Sequence, residues 1–415
     1  MKYRTRNAFA VCAATALLTA SLFTGGVSAD EESPKREQAT VKTLANAENE
    51  FGMDIFKRLH KDGENTFISP VSIATALQMA SHAAAGETRS EMDKVLHLEG
   101  LDAREANKSF VAALNERKGV KLNMANSLWL DTERVTMKDQ YVTEVQEYFG
   151  SEVRVANFED PATVESVNGW ISDKTEGLIP SMLNEIGERE IAFLINAIYF
   201  KGTWTDQFNK KSTKEADFHL TGDDTKKVNL MSRSARIAYS NNDGVQVAKL
   251  PYGDDKQSAM WIILPDEATG LDKLVQDFDI ETLSKWQKRT RKQQGTLKLP
   301  RFKLKYKSNL NDTLKEAGMK QAFDFRVADF KAMGESKLGE IFINRVLHEA
   351  VVIVNEEGTE AAAGTIVGVG AGGGRPPEPF MMVCDRPFMF LITDEPTGSI
   401  LFMGTCYNPA DPDAK

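Results

Sequence analysis

Residues 346–379 join two segments of opposite character and read VLHEAVVIVNEEGTEAAAGTIVGVGAGGGRPPEP. The first segment, 346–355, is mostly apolar and β-branched, which is typical of a buried strand. From 358 onward the residues are small, then mainly glycine, then proline, and these favour neither a helix nor a strand. A loop of about 20 residues inside a compact domain is uncommon and is usually functional or disordered. We therefore expect a buried strand that leads into a long loop, which on composition alone is either functional or a flexible surface loop.

The glycines of this loop resemble a nucleotide-binding motif only superficially. Gly368, Gly370 and Gly373 fit the pattern GxGxxG. In a dinucleotide site such glycines open a helix whose N-terminus holds the pyrophosphate, but the prolines of 375–379 cannot form the interior of a helix. The chain also contains no HExxH, GxSxG or CxxC pattern. The sequence therefore predicts no enzyme activity, no cofactor and no metal site.

The N-terminus has the pattern of a secretory signal peptide. Lys2, Arg4 and Arg6 precede an apolar run over 8–23, and small residues at 27–29 form a cleavage site. Removing 1–29 takes three of the 51 basic residues and none of the 60 acidic ones, which leaves a net charge of −12 on a chain that starts near Asp30. We expect a secreted or extracytoplasmic protein that neither inserts into membranes nor binds nucleic acid, since nucleic-acid binding requires a basic surface.

The rest of the chain predicts a single α+β domain. Apolar residues recur at helical spacing mainly in the first half, while strand patterns dominate the second half. No repeat and no proline- or glycine-rich linker divides the chain. We expect a mobile terminus over 30–38, one domain over 39–410 and a short tail over 411–415.

Several segments, taken together and in this order, resemble the serpin family of serine protease inhibitors. They are NTFISPVSI at 65–73, NAIYFKGTW at 196–204, LPRFKL at 299–304, ADF at 328–330, LHEAVVIVNEEGTEAAAGT at 347–365, DRPFMFLI at 385–392 and LFMGTCYNP at 401–409.

The resemblance implies a fold of about nine helices and three β-sheets, with a reactive loop over about 356–380 above a large central sheet. It also implies suicide-substrate inhibition, in which a target endopeptidase cleaves the loop and becomes trapped as an acyl-enzyme when the loop inserts as a new strand. The expected partner is that protease, and the inhibitor is expected to be monomeric. A non-inhibitory serpin that acts as a binding or carrier protein is the alternative.

The leading end of the loop has the composition that strand insertion requires, because bulky or charged side chains facing the core would stall entry. If Thr359 points inward, Ala361, Ala363 and Thr365 share its face, while Glu360 points outward. The expected hinge consists of Gly358, Thr359, Glu360, Ala361, Ala362, Ala363, Gly364 and Thr365.

The resemblance further implies two groups of residues that control opening of the sheet. A polar cluster beneath the point where the strands part corresponds to Ser69, Ser72, Asn196 and His348. The region where the loop first enters corresponds to Trp204, with Arg301 and Glu356 as a charge pair.

Two counts along the loop give different positions for the cleaved bond. Counting fourteen residues from Gly358 places it at Gly372–Gly373, whereas counting back nine residues from Asp385 gives Pro376. Arg375 resembles a trypsin target but precedes a proline. We expect cleavage between Val369 and Gly373, with Ala371 a further candidate, by an elastase-like or subtilisin-like serine protease. A papain-like cysteine protease remains the alternative.

Two cysteines, Cys384 and Cys406, remain after leader removal. A hairpin centred near Pro396 would place Cys406 opposite Arg386, two residues from Cys384. A disulfide requires Cα atoms within about 7 Å, so both a disulfide and two free thiols stay open.

Overall fold

The computed structural model describes residues 29–115, 117–267, 270–359 and 378–413. The predicted signal peptide lies outside these residues, apart from its last residue, and so does the loop from Glu360 to Pro377. Within the described ranges the chain forms nine α-helices: α1 Ala29–Leu59, α2 Pro70–His82, α3 Gly86–Val95, α4 Ala103–Asn115, α5 Asp139–Phe149, α6 Ala162–Lys174, α7 Leu271–Asp277, α8 Ile280–Arg289 and α9 Asn311–Ala317.

The described strands are β1 Phe67–Ile68, β2 Val120–Asp131, β3 Val135–Met137, β4 Glu152–Ala156, β5 Ala192–Thr203, β6 Lys214–His219, β7 Thr225–Asn242, β8 Val245–Tyr252, β9 Ser258–Pro265, β10 Arg291–Pro300, β11 Phe302–Asn309, β12 Gly334–Ser336, β13 Arg345–Val354, β14 Gly358–Thr359, β15 Phe380–Val383, β16 Phe388–Asp394 and β17 Ile400–Cys406. They form three sheets, which confirms the predicted α+β architecture.

The first helix begins earlier than the sequence pattern predicts. The segment 30–38 was expected to be mobile, but α1 starts at Ala29 and includes it. Glu, Lys, Arg and Gln are good helix formers even where no apolar face is present. The mobility expected of 30–38 stays a prediction.

The central sheet has the strand order β11-β13-β5-β2-β4, and β14 pairs with β5. Helix α2 lies against the sheet and is buried from Pro70 to Ser81. The helix starts at Pro70, because the Ser69 hydroxyl accepts a hydrogen bond from the Ser72 amide and proline suits the first turn. Leu194 of β5 lies in one apolar cluster and Ile195 lies in another, so apolar side chains cover both faces of the sheet.

A second, larger sheet has the order β1-β17-β16-β9-β8-β7-β10-β15, with β6 on β7. The predicted hairpin is confirmed as β16 and β17, but Cys406 lies opposite Phe388 and not opposite Arg386. Strands β10 and β11 belong to different sheets and meet at Arg301. Arg301 therefore lies at a junction between the two sheets. The third sheet consists of β3 and β12. No helix in the described part of the chain is long and apolar enough to cross a membrane.

The upper end of the central sheet is split. Strands β13 and β5 are parallel and pair from Arg345 with Phe193 to Val351 with Tyr199. Both strands continue further, to Val354 and Thr203 respectively, but no pairing joins these last residues to each other. The resulting split is the position into which β14 enters.

Candidate functional site

The start of the loop already occupies the split. Gly358 pairs with Thr203 and Thr359 pairs with Gly202, both in antiparallel register. Gly358 has φ +147°, and a Cβ at this position would lie 2.1 Å from the Gly202 carbonyl oxygen. Only glycine allows so close an approach between the two backbones. The glycine therefore permits the loop to turn from β13 into the split.

Thr359 points into the protein and is fully buried. Its hydroxyl lies 2.9 Å from the hydroxyl of Tyr252. The Tyr252 ring stacks on Trp204 with 4.4 Å between ring centroids. Burial raises the pKa of Tyr252 well above its usual range, so the phenol stays neutral and can donate to Thr359. The first inserted side chain thus meets a preformed aromatic and polar surface.

A set of hydrogen bonds joins the segment after β5 to the segment after β13, and we call these the gate contacts. The Trp204 amide donates to the Glu357 carbonyl at 3.0 Å, and the Phe208 amide donates to the Glu356 carbonyl at 2.9 Å. The Trp204 indole donates to the Asn355 carbonyl at 3.0 Å. Because the two segments flank the split, separation of β5 from β13 at this end must break or rearrange the gate contacts.

The Glu356 side chain contacts two residues at the edge of the second sheet. Its Oε1 accepts a hydrogen bond of 2.6 Å from the hydroxyl of Thr213, which directly precedes β6. Its Oε2 lies 3.6 Å from Nε of Arg301, which lies between β10 and β11. Arg301 also forms an ion pair with Asp413 in the C-terminal tail. The structure therefore brings the predicted pair Arg301 and Glu356 together, and it adds Thr213 and Asp413.

A row of buried polar side chains crosses the central sheet lower down. His348 of β13, Asn196 of β5 and Asn126 of β2 are neighbours in register. The Asn196 amide group donates to the Asn126 side-chain oxygen and to the Ser72 hydroxyl, and His348 Nδ1 bonds to the Asn196 side-chain oxygen. These hydrogen bonds link three adjacent strands to the start of α2.

The remaining contacts of the row anchor it to the rest of the core. The Ser72 hydroxyl donates to the Asn126 side-chain oxygen at 3.2 Å, and the Ser69 hydroxyl donates to the Leu401 carbonyl at 2.6 Å. Burial lowers the pKa of His348 to about 3, so its ring is neutral at physiological pH. A neutral ring whose Nδ1 donates to Asn196 leaves Nε2 without a proton and without a hydrogen-bond partner among the described residues.

Known proteins are similar to this chain, in sequence and in fold, over most of its length. The family model "Serpin (serine protease inhibitor)" matches residues 46–409. The chain belongs to the serpin family. Leukocyte elastase inhibitor of Bos taurus is 35% identical over 389 residues, which cover 89% of this chain and 100% of the relative.

Solved serpin structures superpose closely. The native state of the thermophilic serpin tengpin gives a TM-score of 0.81 at 29% identity and covers 88% of this chain and 94% of that chain. Human thyroxine-binding globulin gives a TM-score of 0.79 at 24% identity and covers 90% of this chain and 100% of that chain, which shows a shared fold. Serpins are generally protease inhibitors rather than catalytic enzymes, so membership supports protease inhibition with a protease as partner.

The two cysteines of this serpin lie close to each other in the core but do not form a disulfide in the structure. Cys384 and Cys406 are both buried in one apolar cluster as free thiols, so the structure does not contain the disulfide that the sequence left open. Burial raises the pKa of both thiols well above the usual range, which keeps them unreactive.

The predicted cleavage region lies outside the described residues. It comprises Val369, Ala371, Gly372, Gly373 and Arg375. The hinge residues from Glu360 to Thr365 also lie outside them, so Gly358 and Thr359 are the part of the hinge that the structure describes.

Sequence reasoning missed four contributors to the site. Asn126 lies in a strand that also contains Lys121, Asn123 and Ser127, so its polarity alone does not single it out in the sequence. Tyr252, Thr213 and Asp413 come from distant parts of the chain. No pattern in a single sequence indicates that they lie beside the loop.

Proposed function

We propose that this serpin is an irreversible suicide-substrate inhibitor of endopeptidases that traps the acyl-enzyme by inserting its cleaved loop between β5 and β13. The observation that carries the proposal is the split itself, with Gly358 and Thr359 already paired to β5. A target protease would cleave the loop, and the segment behind Thr359 would then follow these two residues into the sheet. The attached protease would be carried along and distorted before it could deacylate.

Strand direction favours this process. Strands β5 and β13 are parallel to each other, and β14 is antiparallel to β5. A strand inserted between them would therefore replace one parallel pairing with two antiparallel pairings, which are slightly more stable per residue. Roughly a dozen new hydrogen bonds at about 0.5–1.5 kcal/mol each, plus the burial of side chains, make a gain above about 10 kcal/mol reasonable. The uncleaved state would then persist because opening is slow.

The gate contacts and the row of polar side chains supply that slow step. Insertion requires β13 to move away from β5, which breaks the contact between His348 and Asn196 and the bonds from Trp204 to the segment after β13. Each broken buried hydrogen bond leaves polar atoms to be satisfied again in the expanded sheet. We assign both groups the role of holding β5 and β13 together until the sheet opens. The group beneath the split consists of Ser69, Ser72, Asn196 and His348, and the group at the split consists of Trp204, Arg301 and Glu356.

The target is proposed to be a serine protease that accepts small residues, elastase-like or subtilisin-like. This rests on the residues between Val369 and Gly373, which are small or β-branched. The similarity to leukocyte elastase inhibitor, whose name states an elastase as target, supports the same class. Papain-like cysteine proteases are the alternative class, because they also accept extended loops.

One observation favours a second candidate, a non-inhibitory binding or carrier serpin. The glycine-rich segment 370–374 makes the loop longer and more flexible, and this would slow insertion until the acyl-enzyme is hydrolysed first. Against this, the sequence of the hinge contains no bulky residue and only one charge, Glu360, and the first two residues already pair with the sheet. The inhibitor therefore remains the better supported function.

Export is a further part of the proposal and rests on the N-terminal sequence alone. Sequencing the N-terminus of the protein recovered from its native source should give Asp30 as the first residue. An intact N-terminus starting at Met1 would contradict export by this route.

The deciding experiment mixes the mature protein with elastase-like, subtilisin-like, trypsin-like and papain-like proteases and separates the products on denaturing gels. An inhibitor gives a covalent adduct that survives denaturation, and mass spectrometry of the released C-terminal peptide identifies the cleaved bond. The control is the same protease with its nucleophile chemically blocked, which should give no adduct. Clean cleavage without an adduct from every protease would refute inhibition and favour the carrier.

A further inference from the structure

The outer face of the second sheet carries a row of positive charges. In the antiparallel pairing of β7 with β10, Arg236 lies opposite Gln294, so both side chains point to the same face. Lys292 and Lys298 lie two residues before and four residues after Gln294, and they share that face because side chains alternate along a strand. Arg236 and Lys292 are exposed and Lys298 is half-buried, so this face meets solvent. We call Arg236, Lys292 and Lys298 the basic row.

The protein does not neutralise the basic row itself. Within the described part of the chain, none of its three side chains forms an ion pair. Lys298 also lines a surface depression together with Lys211 and Lys214, which add two cations, and with Glu215, which adds one acid. The chain as a whole has a net charge of −9. A local excess of unpaired cations on an acidic protein attracts a partner with an acidic surface.

The loop rejoins the body of the protein beside the basic row. Strand β15 follows the loop and pairs in parallel with β10, from Phe380 opposite Gly295 to Val383 opposite Lys298. The Phe380 ring stacks on Tyr239 with 3.9 Å between ring centroids, and a Cβ on Gly295 would lie 2.1 Å from the Phe380 ring. Gly295 therefore leaves the space into which the ring packs, and this packing holds the C-terminal end of the loop against β10.

A protease bound to the loop would come within reach of the basic row. The proposed cleavage region 369–373 precedes Phe380 by seven to eleven residues. Even a fully extended chain of eleven residues spans at most about 40 Å. A protease domain of about 250 residues is roughly 45 Å across, from its radius of gyration. Such a protease is wide enough to contact the basic row while it holds the loop.

We propose that the basic row is a second contact site for the target protease and selects proteases whose surface beside the active-site cleft is acidic. The proposal rests on the proposed function, because it concerns the encounter between this serpin and the protease that cleaves its loop. Opposite charges on the two surfaces speed that encounter and orient the protease. Among proteases that accept small residues, acidic enzymes would therefore be inhibited faster than basic ones. The position beside the end of the loop favours a protease over a polyanion such as heparin.

The test measures the second-order rate constant of covalent adduct formation. The probes are an acidic subtilisin-like protease and a basic elastase-like protease, both of which accept small residues. Arg236→Glu combined with Lys292→Glu should slow the reaction of the acidic protease about three- to tenfold at about 0.05 M salt, and should accelerate that of the basic protease by a similar factor. Both effects should fall below about twofold at about 1 M salt, where the Debye length is about 3 Å.

Matched variants separate the position of the charges from their number. Lys94 and Lys320 are also exposed and form no ion pair among the described residues. They lie on α3 and beside the segment that contacts it, which leads to the start of β13 at the end of the strand away from the split. Lys94→Glu combined with Lys320→Glu should leave the ratio of the two protease rates unchanged. The fraction of each variant recovered as adduct should equal that of the wild type, because the basic row takes no part in loop insertion.

The outcomes are distinguishable. Adduct formation by both proteases at rates that Arg236→Glu with Lys292→Glu leaves unchanged overturns the inference and leaves the proposed function intact. Rates that fall by the same factor for both proteases also overturn it, since charge selection requires effects of opposite sign. Retention of the wild type but not of this variant on immobilised heparin, with equal protease rates, overturns it in favour of a polyanion. Absence of an adduct between the wild type and either protease counts against the proposed function and removes the basis of the inference with it.

Discussion

Replacing Thr359 with arginine should convert this serpin from inhibitor to substrate. The Thr359 side chain is fully buried, and its hydroxyl bonds to Tyr252 at 2.9 Å. Thr359→Arg removes that hydrogen bond, which is worth about 0.5–1.5 kcal/mol. It also requires a guanidinium to enter a buried surface formed by Tyr252 and Trp204, where no acidic partner is described, and an unpaired buried charge costs at least several kcal/mol.

The rate consequence follows from these magnitudes. A total of about 4 kcal/mol added to the barrier slows loop insertion roughly 10³-fold, because each 1.4 kcal/mol is a factor of ten. The protease would then deacylate before the loop carries it away. The assay is the fraction of protein recovered as covalent adduct or as cleaved product on denaturing gels, at several ratios of inhibitor to protease.

Thr359→Ser is the matched control, because it keeps the hydroxyl and loses only a methyl group. It should retain most of the adduct yield. An unchanged adduct yield for Thr359→Arg, together with normal cleavage of the loop, would refute the idea that loop insertion requires a small, uncharged side chain at this position.

Other variants test the row of polar side chains and the buried acids. Burial lowers the pKa of His348 to about 3, so the stabilisation by its neutral ring is complete above about pH 6.5 and is lost as pH falls toward 3. His348→Gln should therefore weaken the fall in the free energy of unfolding between pH 6.5 and pH 3, measured by urea titration. Burial raises the pKa of Glu48 to about 8, so the stabilisation by its neutral form is complete below about pH 4.5 and is lost as pH rises through 8. Glu48→Gln should therefore weaken the fall in the free energy of unfolding over that pH range. Asn126→Ala removes a hydrogen-bond acceptor of the Asn196 amide group and should lower the free energy of unfolding by about 1–3 kcal/mol, measured by urea titration. Asn123→Ala changes a half-buried site and should have little effect on the same quantity.

The family and much of the fold could be predicted from the sequence, because long apolar strands and ordered motifs carry strong signals. Strand β13 and the hairpin of β16 and β17 are examples. Strand β7 and helix α3 were not predicted. Residues of β7 alternate irregularly between buried and exposed, so the strand has no clear period. The buried residues of α3, Thr88, Met92 and Val95, are spaced as in a helix, but only two of them are apolar, so the apolar signal in the sequence is weak.

The site was predictable only where residues match a family motif. Arg301 and Glu356 were paired correctly on that basis, and the structure places them 3.6 Å apart. Thr213 and Asp413 were not predicted because their contacts join distant parts of the chain. The hinge beyond Thr359 and the cleavage region stay predictions, since they lie outside the described residues.

The two-residue strand β14 also changes the kinetic character of the proposed insertion. Starting a new strand is the costly step in any ordered assembly, because several backbone dihedrals are fixed before bonds repay them. Here Gly358 and Thr359 have met that cost before any protease arrives. Insertion would proceed as elongation of a strand whose first two residues are already paired. The rate of insertion would then depend on how fast β5 and β13 separate residue by residue, and much less on how fast the loop finds the split.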